Sequence, residues 1–131
     1  MTGEELRLRA RIFDAFARTG APPEIAQEER PALRALAERH VVVLDGAERV
    51  VMAHPFSVER EGATRVGAGG RAWFGNCAWD GLGLVAALGL GDATVESTGV
   101  TVRVRDGVPL DDAVFHVLVP ARDWWADVWF T

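Results

Sequence analysis

"RAWFGNCAWDGLGLVAALGL", residues 71–90, decides how this chain folds. Residues 71–74 set two aromatics before a glycine, the pattern of a short strand. From Cys77 onward the stretch is apolar almost throughout and long enough for a buried helix. Gly81 and Gly83 each cost about 1 kcal/mol in such a helix relative to alanine. Glycines there mark a place where another backbone or a ligand comes close. The same stretch holds the chain's one cysteine, Cys77, at the handover from strand to helix, with Asp80 three residues on.

Working outward, strands are predicted at 56–59 and 64–66, between glycine-rich turns, and "ATVEST", "VTVRVRD" and "AVFHVLVP" alternate or run apolar as strands. "ARDWWADVWFT" returns to a mixed pattern. Toward the N-terminus, "GEELRLRARIFDAFARTG" places Leu6, Ile12, Phe13 and Phe16 near one helical face and ends with Gly20 at a C′ position. "APPEIAQE" opens with prolines suited to a first helical turn. "ERPALRALAERH" spaces Leu33, Leu36 and Ala37 helically, and "VVVLDGAERVVMA" reads as a hairpin around Asp45-Gly46. The expectation is an α+β fold: a winged-helix-like helical unit over residues 1–53, then a mostly antiparallel sheet packed on a central helix over residues 54–131.

Composition narrows the setting. The chain has 131 residues, 49% hydrophobic and 25% charged, as ordinary soluble domains do. The N-terminus is charged from residue 4 and has no apolar signal core. "LGLVAALGL" is too short to span a bilayer, so no membrane role is expected. A cytoplasmic, reducing location follows, with Cys77 a free thiol. A net charge of −5 gives no global pull toward nucleic acid. The helix that would read DNA carries Glu28, Glu29, Arg30, Arg34, Glu38 and Arg39, close to neutral overall. It is read as a packing module, with no DNA-binding residues assigned.

Cys77 is the candidate nucleophile. Unpaired N–H groups at a helix start favour a thiolate, and Asp80 at i+3 can share its face as a proton carrier. Spacing alone leaves a buried structural cysteine beside a capping aspartate as the commoner explanation. His40 is expected at a helix end, His54 in a connector before Pro55, and His116 in an apolar strand. No zinc-ligand spacing is present, and "GAGG" at 67–70 lacks the lysine and following helix of a phosphate loop, so no cofactor is expected. Trp73 and Trp79 flank the thiol, while Trp124, Trp125 and Trp129 crowd the C-terminus. Trp73, Phe74, Trp79 and Trp125 are either core or the wall of an apolar substrate pocket around Cys77.

"HPFSVE", "WFGNCAWDGLGL", "VESTGVTVRV", "VFHVLVP" and "DWWADVWFT", in that order, resemble the alkylmercury lyase (organomercurial lyase) family from about His54 to the end of the chain. The resemblance implies thiol-dependent protonolysis of a carbon–mercury bond, giving hydrocarbon and Hg(II). Cys77 would attack mercury, binding it as substrate and product, and Asp80 would handle the proton for the leaving carbon. The partners it implies are a small organomercurial, or another soft electrophile, and thiols that accept the mercury. The family's second cysteine falls at or just after the position of Thr131, so the chain is expected to be either a piece that stops short of that thiol or a member without it. Two alternatives accompany this reading. One is a relative using Cys77 and Asp80 on a non-mercury substrate in specialised metabolism. The other is a non-catalytic soft-metal or DNA-binding module.

Overall fold

The computed structural model describes residues 1–116 and 119–129. Two helices come first. α1, Gly3–Thr19, starts at Thr2, whose hydroxyl accepts the Glu5 N–H while the Glu5 carboxylate accepts the Thr2 N–H. It ends at Gly20, which adopts φ 76° and donates its N–H to the Phe16 carbonyl at 2.8 Å. Its buried face is Glu5, Leu8, Ile12 and Phe16, one residue every three or four. Leu6, expected on that face, is exposed, and Leu8 takes its place. The reason is angular: at 100° per residue, Leu8 lines up with Ile12 and Phe16 and Leu6 does not.

The proline-rich segment that follows is not the helix its prolines suggested. Residues 22–26 are irregular and lead into a 3-10 turn, Gln27–Glu29, continuous with α2, Arg30–Glu38. α2 buries Ala32, Leu33 and Leu36 against α1. The chain reverses at His40, which holds φ 57°, and enters the hairpin of β1, Val43–Leu44, and β2, Val50–Ala53. The turn between them spans five residues rather than two. The Asp45 carboxylate accepts the N–H groups of Ala47 and Arg49, and Glu48 carries the positive φ of 56°.

β3, Phe56–Ser57, follows a cis His54–Pro55 peptide and is shorter than its sequence suggested. β4, Thr64–Ala68, and β5, Arg71–Gly75, form a second hairpin. α3, Ala78–Ala87, comes next, then β6, Ala93–Ser97, β7, Val100–Arg105, and β8, Val108–Pro109. The eight strands make one antiparallel sheet in the order β1-β2-β3-β5-β4-β6-β7-β8. The hairpin β1–β2 is therefore one end of the same sheet whose centre carries α3. No helix among the described residues is long and apolar enough to cross a membrane.

α3 lies on the central strands, and its glycines make that fit possible. A Cβ on Gly81 would stand 2.6 Å from Thr64 Cγ2 and 2.7 Å from Val95 Cγ1, both side chains of the sheet beneath. One on Gly75, at the end of β5, would stand 2.8 Å from Asp80 Cβ. The helix start is thus pressed onto β4, β5 and β6, closer than any side chain between them would permit. One continuous core runs from Leu8, Ile12 and Phe16 of α1, through Phe56 and Trp73, to Leu84 and Val85 of α3. Phe16 stacks on Phe56 with ring centres 5.4 Å apart and Phe13 meets the same ring edge-on at 6.3 Å, so the first helix and the third strand share an aromatic cluster.

After β8 the expectation of a further strand fails. Residues 112–116 are exposed and irregular, so His116 sits in no strand and in no core, and residues 117 and 118 lie outside the described residues. The mixed pattern beyond becomes a 3-10 segment, Ala121–Ala126. Thr131, the position tied to a second family cysteine, also lies outside the described residues.

Candidate active site

Cys77 is the N-cap of α3, extended at φ −140° and ψ 175°, and its carbonyl accepts the Gly81 N–H at 3.0 Å. Its side chain caps no backbone group. Instead the half-buried thiol donates to Asp80 Oδ2 at 3.6 Å, across the first helical turn. The i, i+3 spacing therefore does what helical geometry allows, placing thiol and carboxylate on one face. The other Asp80 oxygen, Oδ1, stands 3.8 Å from His54 Nδ1. A histidine 26 positions earlier in the chain thus meets the helix start, and Asp80 lies between it and the thiol.

The electrostatics differ from the sequence expectation in one respect. Burial raises the Cys77 thiol above its ordinary cysteine value. The N–H groups of Asp80 and Trp79 pull the other way, as a helix start should, but the Asp80 charge and its hydrogen bond with the thiol push upward again. The net direction is toward the protonated thiol. The helix terminus softens that outcome without reversing it, because a thiolate here would lose water and face a carboxylate. A protonated Cys77 is consistent with its role as donor to Asp80.

The aromatic residues divide. Trp125 lies against the site: its ring stacks on His40 at 4.0 Å and meets His54 edge-on at 5.8 Å. Trp79 is 63% exposed beside the thiol and touches the Phe115 ring at 5.9 Å. Trp73 is buried in the sheet, where its indole N–H donates to the Ala17 carbonyl at 2.9 Å and ties α1 to β5. Phe74, adjacent in the strand, faces the other side, in a shallow groove with Thr19, Gly20 and Val58. So Trp125 meets the histidine that faces Asp80, Trp79 turns to Phe115, Trp73 anchors the core, and Phe74 lies across the sheet.

Sequence reasoning overlooked two further groups. His54 had no local signal, since its partner is remote in the chain. Asn76, the residue before Cys77, is buried; its amide donates to the Val128 carbonyl at 2.7 Å and its oxygen accepts from Arg60. The Arg60 guanidinium also lies 4.5 Å over the Trp129 ring. Together these contacts fasten the C-terminal segment beside the strand-to-helix handover. Among the described residues no group of three or more His, Cys, Asp or Glu side chains is placed to hold a metal ion.

No family model matches this chain, and no curated protein matches it. Among solved structures its fold is similar to the crystal structure of the mercury-bound form of MerB2, with a TM-score of 0.64 and 24% sequence identity. The match covers 85% of this chain and 60% of that one, so this chain spans about three fifths of its neighbour's length. At that identity the likeness establishes a common fold: helices at the N-terminus, then an antiparallel sheet carrying a packed helix.

Proposed function

We propose that this protein is alkylmercury lyase-like and cleaves a carbon–mercury bond by protonolysis. The observation that carries the proposal is the thiol of Cys77 donating to Asp80 at 3.6 Å at the start of a buried helix. Mercury is soft and thiolate is its natural ligand. An arriving R–Hg⁺ takes the Cys77 sulfur as the thiol proton passes to Asp80, leaving Cys77–S–Hg–R and a protonated carboxyl. Asp80 then delivers that proton to the mercury-bound carbon. The carbon–mercury bond breaks, R–H departs, and Cys77–S–Hg⁺ remains with Asp80 again a carboxylate. Outside thiols complete the cycle: two RSH remove Hg(II) as Hg(SR)₂, restore the Cys77 thiol and release one proton. A raised thiol suits this order of events, since the proton is held until a metal that binds sulfur strongly arrives.

Residues 1–53, winged-helix-like in the order of their elements, serve in this reading as a packing module. They supply α1, which buries Leu8, Ile12 and Phe16 in the shared core, and β1 and β2, one end of the sheet. The small-molecule partner is an organomercurial or another soft electrophile of similar size. A second reading, a soft-metal binder that takes up Hg(II) and never cleaves, is favoured by the half-buried thiol itself, a soft donor that binds mercury whether or not a carbon–mercury bond is broken.

The test is hydrocarbon release from phenylmercury or methylmercury in the presence of excess thiol, followed by gas chromatography. Wild type is expected to release hydrocarbon, and Cys77→Ala to fall to the rate of the thiol buffer alone. Equal release by the two proteins would end the lyase reading. Stoichiometric Hg(II) uptake without any hydrocarbon would leave the binder.

A further inference from the structure

We propose that His54 is a positioning residue for Asp80, bracing the carboxylate through Oδ1 so that Oδ2 stays turned to the Cys77 thiol. The proposal rests on reading Cys77 and Asp80 as the reacting pair. It starts from the carboxylate itself: the terminal torsion of an aspartate is broad and close to two-fold, so nothing local fixes which oxygen meets the thiol. Here the oxygens have different partners, Sγ of Cys77 at 3.6 Å and Nδ1 of His54 at 3.8 Å. The second separation is beyond hydrogen-bond length, so it is a charge contact that acts when the imidazole is protonated.

His54 is itself held in place. The ring stands edge-to-face with Trp125 at 5.8 Å, and Trp125 is itself stacked on His40 at 4.0 Å. The next residue, Pro55, lies against α3 one turn past the reacting pair, where a Cβ on Gly83 would stand 3.4 Å from Pro55 Cβ. The connector carrying His54 and the helix carrying Asp80 are thereby packed together. Of the charged groups on the 3-10 segment that brings Trp125, Arg122 and Asp123 pair with each other at 3.7 Å. Asp127, just past it, accepts the Trp129 N–H. Asp80 is therefore the charged group His54 faces, and among the described residues His54 is the one basic side chain paired with Asp80.

The chemistry follows from the charge. A protonated imidazole beside Oδ1 draws that oxygen toward it and leaves Oδ2 facing the thiol, where it takes the Cys77 proton and passes it on. A His54 that only filled space beside Trp125 would leave Asp80 and Cys77 indifferent to its ionisation.

The experiment is an NMR titration of the histidine rings in wild type and Asp80→Asn, paired with iodoacetamide alkylation of Cys77 across pH in wild type, His54→Asn and His54→Phe. Removing the Asp80 charge should shift the His54 ring signals, while those of His116 do not move. The wild-type alkylation profile should carry an inflection in the imidazole range that both His54 variants lose. The phenylalanine variant separates charge from packing, because it keeps an aromatic ring against Trp125. His54 ring signals that ignore Asp80→Asn, or a wild-type alkylation profile in His54→Phe, overturn the proposal. Hydrocarbon release assayed on the same samples keeps the two ideas apart. A wild type that titrates as described yet releases no hydrocarbon ends the lyase reading and leaves the role of His54 standing. Release that is unchanged in His54→Phe does the reverse.

Discussion

α1 and α3 are both helices packed into the same core, and they reach it by opposite routes. α1 is amphipathic over 17 residues, opened by the reciprocal Thr2–Glu5 pair and closed by a left-handed Gly20. α3 is 10 residues of largely apolar sequence, with no side-chain cap and with glycines at 81 and 83. The first obeys every local rule for a helix. The second breaks several, and it is the one that carries the thiol and the carboxylate. Local rules describe a helix that must stand one face in water, whereas α3 is held by close approach to the sheet, and that approach needs the absence of side chains at its contact points.

Three substitutions test this contrast, in falling order of effect. Phe16→Ala removes the fully buried ring that stacks on Phe56 near the C-terminal end of α1, and should cost about 3–5 kcal/mol of stability in urea unfolding. A loss below about 1 kcal/mol would mean that α1 is not part of the common core. Gly81→Ala is a favourable change by helix propensity alone, worth about 1 kcal/mol in an exposed helix. Here its Cβ would meet Thr64 and Val95 at 2.6 and 2.7 Å, so we expect net destabilisation of about 1–3 kcal/mol and slower alkylation of Cys77 as the first turn lifts and the Cys77–Asp80 contact changes. A stabilised Gly81→Ala protein would show that α3 follows the same rules as α1 and would sink the contrast. Thr2→Ala removes only a cap, and should cost about 1 kcal/mol with no change in Cys77 reactivity.

The pH response of the thiol belongs to α3 as well. Because the folded Cys77 thiol is raised, an unfolded chain ionises it first. Its contribution to stability is therefore full below the unfolded thiol's titration and declines as pH rises through the folded one.

Legibility divides along the same line. The strand at 71–74, the following helix, β6 and β7 could be read from periodicity, since each is a local pattern with turn residues at its ends. "AVFHVLVP" has the same apolar look, and its residues 113–116 are irregular and exposed, because an apolar run becomes a strand only where a neighbour accepts its hydrogen bonds. "APPEIAQE" failed similarly: its prolines can start a helix, but the segment resolves into irregular chain and a 3-10 turn. At the site, the thiol and carboxylate were visible because helical spacing alone sets them on one face. His54 and Asn76 were not, since their partners lie in other elements.

What the sequence by itself determined is thus the order of the elements, the boundaries of α1, the hairpins, and the juxtaposition of Cys77 with Asp80, all of which act over a few residues. Only the tertiary structure decided that His54 meets Asp80, that Trp125 meets His54 while Phe74 faces the other side of the sheet, and that burial favours the thiol form of Cys77 over the thiolate. Those outcomes depend on burial and on contacts between remote segments. The charge of a thiol answers to the water it loses and the carboxylate it faces, and neither is written in the residues beside it.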